Sequence, residues 1–137
     1  MSHKILCAVD GSAHSDRAVQ LAAQMARAMG ADLFVCTVNV ALLSGRAGAS
    51  YVHAEEEMER ILAKAAGVAK TEGVTVTRQA VISARDVAAG VVDHAERNNC
   101  DIIVVGTGDR RAISKLILGS AAEEIARRAH CTVVIAR

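Results

Sequence analysis

Residues 104–126, VVGTGDRRAISKLILGSAAEEIA, decide how this chain is read. An apolar strand runs into Gly106 and Gly108. A loop with Arg110, Arg111 and Lys115 comes next, and Gly119-Ser120 opens a helix. The first amides of a helix are unpaired and sit at the positive end of its dipole, so such a junction suits an anion. Gly119 admits close backbone approach, and Ser120 offers a hydroxyl as well as an amide. Ser120 and Glu123 also fit an S-x-x-E capping box. Asp109, however, stands among the glycines.

Working outward, two periodicities alternate. KILCAVD (4–10), DLFVCTVNV (32–40), DIIVVG (101–106) and CTVVIA (131–136) are short apolar runs of the kind buried on both faces of a parallel sheet. VTVTRQAVI (74–82) alternates apolar and polar residues, which predicts a half-exposed strand near a sheet edge. Between the strands lie helical stripes. Val19, Ala22, Met25, Ala26 and Met29 mark 13–29, and Met58, Ile61, Leu62, Ala65 and Val68 mark 54–70. Val87, Val91, Val92 and Ala95 mark 86–98, and a last helix runs from Ser120 to Ala129. Alternation of this kind predicts one α/β domain over 1–137: a five-stranded parallel, open, twisted sheet, Rossmann-like, with helices on both faces. The stretch ALLSGRAGASYVH (41–53) reads as an irregular mobile loop or lid.

Composition narrows the function. The chain has 137 residues, is 52% apolar and carries a net charge of +1, so it has the means for one core and no basic surplus for nucleic acid or an anionic membrane. Phe34 and Tyr51 are its aromatic residues, too few for a base-stacking platform. No apolar stretch approaches the roughly 20 residues needed to span a bilayer. The opening apolar run is too short for a signal peptide, and the expected location is cytoplasmic. Cys7, Cys36, Cys100 and Cys131 show neither CxxC nor metal spacing and read as buried or half-buried reduced thiols. His14, His53, His94 and His130 read as surface or packing residues. GxxxxGK[ST], G-x-S-x-G and an acidic pair after the first strand are all missing, which excludes a P-loop NTPase, an elbow hydrolase and a receiver domain.

Open α/β sheets bind ligands beyond the carboxyl ends of their strands. Two loops there carry chemistry: VDGSAHS, with Asp10, Gly11 and Ser12, and GTGD, with Gly106, Thr107, Gly108 and Asp109. Asp10 suits a ribose hydroxyl or a cation, and Arg110, Arg111 and Lys115 suit phosphates.

With these residues assembled, the chain resembles the universal stress protein (UspA) family along essentially its whole length. KILCAVDGSAHSDRAVQLA is similar to the family's opening strand, acidic loop and first helix. DIIVVGTG…LILGSAAEEIARRAHCTVVIAR is similar to its closing half. The nucleotide-binding signature, G-x2-G-x9-G-[ST], is met at Gly106, Gly119 and Ser120, and Asp109 replaces its second glycine. The resemblance implies a HUP-type sheet with strand order 3-2-1-4-5 and a module of the stress response that binds ATP or AMP, with Mg²⁺ accompanying the nucleotide. Asp10 would contact the ribose, and Val38 and Val105 would line the adenine pocket. Gly106, Gly119 and Ser120 would meet the phosphates, with Gly108 and Ala121 beside them. It also implies a homodimer paired through the last strand at Thr132, Val133, Val134 and Ile135. A carboxylate 4 Å from a phosphate costs about 1–4 kcal/mol depending on the effective dielectric. Asp109 therefore leaves a second reading open: a dimeric interaction protein of the same fold that binds no nucleotide. No positioned nucleophile or general base is legible, so enzymatic activity would be at most a slow ATPase.

Overall fold

The computed structural model of the chain describes residues 3–43, 48–107 and 119–137. Gly108, Asp109, Arg110, Arg111 and Lys115 lie outside the described residues. The elements are β1 (Lys4–Ala8), α1 (Ala13–Met29), β2 (Asp32–Leu43), β3 (Ala49–Tyr51), α2 (Glu55–Thr71), β4 (Arg78–Ala84), α3 (Val87–Arg97), β5 (Ile102–Gly106), α4 (Ser120–Arg128) and β6 (Thr132–Ala136). Five strands pair in parallel in the order β4-β2-β1-β5-β6. This is the expected 3-2-1-4-5 order once the short β3 is set aside.

Strand alternation explains the two-sided core. Ile5 and Cys7 of β1 face one way, with Leu33, Val35 and Val104 from neighbouring strands. Against them lie Ala18, Val19, Ala22 and Ala26 of α1 and Leu62, Ala65 and Ala69 of α2. Leu6 faces the other way with Phe34, Cys36, Ile103 and Val105, under Ala88, Val91 and Ala95 of α3 and Ala122 and Ile125 of α4. Both faces of β1 and β5 are covered, which is why those strands read as unbroken apolar runs. The alanine-lined stripe of α1 brings that helix close to the sheet. Met29, counted on the stripe by spacing, is instead 40% exposed where α1 ends.

Three local expectations change. Within 41–53 two short segments are strand where an irregular loop was expected: β2 continues to Leu43, and Ala41, Leu42 and Leu43 pair antiparallel with Tyr51, Ser50 and Ala49, while residues 44–47 lie outside the described residues. The buried Asn39 fastens the returning chain at His53, its Nδ2 donating to the His53 carbonyl at 2.9 Å and its Oδ1 accepting from the His53 amide at 3.1 Å. The fourth strand begins at Arg78, not at Val74, because the Val74 amide still closes the end of α2 by donating to the Ala69 carbonyl. Val74 and Val76 pack on the core without joining the ladder. Finally, Gly119 caps α4 and Ser120 is its first helical residue, so Ser120 and Glu123 form no capping box. Among the described residues, no helix is long and apolar enough to cross a membrane.

Candidate functional site

The carboxyl ends of β1, β2 and β5 converge with the starts of α1, α3 and α4. The parallel sheet puts every helix N-terminus at this end, and the gap between β1 and β5 opens here because their crossovers leave on opposite faces. A small cleft with room for about 70 Å³ occupies the gap and opens to solvent. Val38, Val87, Val91, Val105 and Ile125 make its floor apolar, and Asp10, Ser12 and His14 line its mouth.

The first loop is tightly specified. Gly11 turns the chain with a φ of +85°, a conformation that L side chains rarely adopt. The Ser12 amide donates to Asp10 Oδ1 at 2.9 Å. Ser12 then caps α1: its Oγ accepts from the Ser15 amide at 3.2 Å, while Ser15 Oγ donates to the Ser12 carbonyl at 3.0 Å. From α2, Lys64 Nζ donates to the Gly11 carbonyl at 3.0 Å and pairs with Asp16 at 3.1 Å. Partial burial alone would raise the Asp10 carboxyl. Hydrogen bonds from Ser12, through its hydroxyl and its amide, outweigh burial and hold Asp10 below the ordinary carboxylate range. Asp10 is therefore an ionised acceptor at neutral pH, aimed at the mouth of an apolar cleft.

The second loop has a closed neck. The Gly119 amide donates to the Thr107 carbonyl at 2.6 Å, so the chain leaving β5 returns beside it before α4 begins. Thr107 Oγ1 also lies 3.3 Å from His14 Nδ1. A Cβ on Gly106 would stand 2.5 Å from the His14 carbonyl oxygen. Gly106 is thus required by the packing of β5 on the first turn of α1, whatever ligand the site takes.

Of the residues expected at the site, Asp10, Val38, Val105, Gly106 and Ala121 line the same cleft. Gly119 is buried at the loop neck. Ser120 is exposed and faces an adjoining groove shared with Arg85, Asp86, Glu124 and Arg128, which meets the cleft at Val87 and Ala121. That groove balances two cations against two carboxylates. Asp86 is occupied there, accepting from the Ala89 amide at 2.7 Å with Arg128 at 3.6 Å. Sequence reasoning missed His14 as a site residue. Its position on the first turn of α1 is the available signal, but its place at the mouth depends on how closely β5 approaches. Among the described residues, no three His, Cys, Asp or Glu side chains are grouped to hold a metal ion.

These features define a parallel α/β domain with a strand-end cleft of the kind that takes a small polar molecule with an apolar part. The profile of the Universal stress protein family matches residues 1–137. A universal stress protein of Thermus aquaticus is 30% identical over 141 residues, covering 100% of each chain. The structure of a universal stress protein from Archaeoglobus fulgidus superposes with a TM-score of 0.80 at 25% identity over 100% of each chain. A universal stress protein crystallised in complex with cAMP superposes with a TM-score of 0.79 at 26% identity, covering 98% of this chain and 97% of that one. The chain belongs to the universal stress protein family.

Proposed function

We propose that this protein is an adenine-nucleotide-binding regulatory module, taking ATP or AMP in the strand-end cleft and acting as a homodimer. The observation that supports the reading is the cleft itself: an apolar floor beside the ionised Asp10, a pairing that suits a purine and its ribose hydroxyls. The relative that was crystallised with cAMP supports the same ligand class. Mg²⁺ would arrive with the phosphates, since among the described residues the mouth supplies one carboxylate and no protein-built cage for a hard cation. The role is binding, with any ATP turnover slow. The dimer would form along β6, an edge strand whose Thr132, Val133, Val134 and Ile135 are exposed or half-buried while its partner β5 covers one side.

Isothermal titration with AMP, and with ATP plus Mg²⁺, tests the reading. Saturable binding at micromolar concentrations is expected. The second reading, a dimeric interaction protein without nucleotide, is favoured by Asp109 in the loop signature. It predicts no heat up to millimolar ATP and binding that appears in Asp109→Gly.

A further inference from the structure

At the opposite end of the sheet, Cys100 and Cys131 stand before β5 and β6. Simple alternation would send Cys100 to the same face as Ile102, away from Cys131. The turn into β5 overrides this. Asn99 adopts a φ of 54°, and the Cys100 amide donates to the Ala95 carbonyl at 2.9 Å, tucking Cys100 under α3. Both cysteines then pack in the same apolar cluster and line one cleft with Val92, Ala95, Ile103 and His130. The parallel ladder pairs Ile102 with Thr132, so Cys131 lies one step before the ladder and Cys100 one further step back on the neighbouring strand. Adjacent strands lie about 4.8 Å apart, and disulfides bridge Cα atoms roughly 4.4–6.8 Å apart, so two cysteines at the starts of neighbouring strands and lining one cleft are placed for a bridge.

From this placement we propose that Cys100 and Cys131 are a peroxide-sensitive thiol pair that closes to an intramolecular disulfide and ties the edge strand β6 to β5. Cys131 is the half-exposed member and meets the oxidant first. Its sulfur attacks one peroxide oxygen and the O–O bond breaks. Hydroxide departs and takes up a proton to leave as water, giving a sulfenic acid. The Cys100 sulfur then attacks Cys131 Sγ, the S–O bond breaks, and a second water leaves carrying the Cys100 proton. The net change converts two thiols and one hydrogen peroxide into one disulfide and two waters.

Burial pushes the Cys100 thiol up to about 11, with the nearby Cys131 adding to it and Lys4 working against it. Burial, with Asp101 and Glu96, also raises Cys131. Thiolate is therefore scarce, and the reaction is slow, calling for sustained exposure to peroxide. The other two cysteines do not line this cleft. Cys7 and Cys36 are fully buried and belong to opposite faces of the sheet.

Treating the full chain with millimolar hydrogen peroxide, alkylating it and digesting it with trypsin without reductant tests the proposal. The expected product joins peptide 98–110 to peptide 129–137. Free thiols, four in the untreated chain, fall by half, the oxidised protein melts at a higher temperature than the reduced one, and dithiothreitol reverses each change. Cys100→Ser and Cys131→Ser should each remove the linked peptide. The half-exposed Cys131→Ser is expected to keep a cooperative melting transition even if the buried Cys100→Ser does not. Two results overturn the proposal: both thiols still alkylatable after oxidation of the wild type, or bridges found only between chains.

Discussion

The two ends of this sheet are built from the same strands but have different chemistry. At the carboxyl end, β1 leads into Asp10 and β5 into Thr107, and the starts of α1, α3 and α4 converge on an apolar cleft. At the amino end, the cleft before β5 and β6 is lined by Cys100 and Cys131, with His130 paired to Glu96 at 3.2 Å on its rim. The difference comes from direction. In a parallel sheet, all helix N-termini gather at one end, so unpaired amides and acidic caps collect there, while the other end receives helix C-termini and their basic residues. The first arrangement suits an anionic ligand with an apolar part. The second offers a pair of thiols.

Substitutions that break the shared scaffold should have the largest effects. Ile103→Ala removes a fully buried side chain from beneath α3 and α4. A loss of about 2–5 kcal/mol in urea denaturation is expected, with both ends disturbed together. Gly106→Ala is more selective. Its Cβ would press on the His14 carbonyl and force β5 away from α1, costing about 1–3 kcal/mol. Titration should show nucleotide binding lost while the Cys100–Cys131 end keeps its thiol chemistry.

Asp10→Asn sharpens the comparison further. The amide oxygen still accepts from Ser12, so stability should change by less than about 1 kcal/mol. Nucleotide affinity should fall about tenfold, equivalent to about 1.4 kcal/mol. The same carboxylate sets a pH dependence. Its folded pKa is depressed, so its stabilising contribution is complete above the ordinary carboxylate pKa and lost as pH falls through the lower folded value. A melting series from neutral to acidic pH should show Asp10→Asn converging with the wild type at the acid end. The smallest effect is expected from Arg97→Ala, which removes an exposed pair with Asp93 at 3.0 Å near the amino end. Stability should stay within about 0.5 kcal/mol, with nucleotide binding unchanged.

Much of this was legible in the sequence because burial writes itself as periodicity. KILCA and IIVVG had to be covered on both faces, and the alanine and valine spacing in α1 and α3 named their core sides. The features that escaped depend on contacts distant in sequence. Nothing in ALLSGRAGASYVH announces a hairpin, since its pairing is anchored from outside by Asn39. Val74 reads as strand, yet the end of α2 takes its amide. Ser120 looks like a cap, yet Gly119 serves in its place. His14 gains its place at the site only because β5 ends in glycine and lets α1 approach. The thiol pair was hidden for the same reason: Cys100 precedes β5, where the Cys100 amide closes the end of α3 on Ala95 and strand alternation no longer assigns its face.

Backbone amide NMR mapping during titration with AMP tests the central claim most directly, because it reads both ends of the sheet in one experiment. Saturable shifts at the cleft-lining residues 8–14, 38, 87–91, 105–107 and 119–122, with 99–101 and 130–132 unmoved, are the predicted result. Uniformly unchanged spectra at millimolar AMP, or shifts centred on the Cys100–Cys131 end, would contradict it.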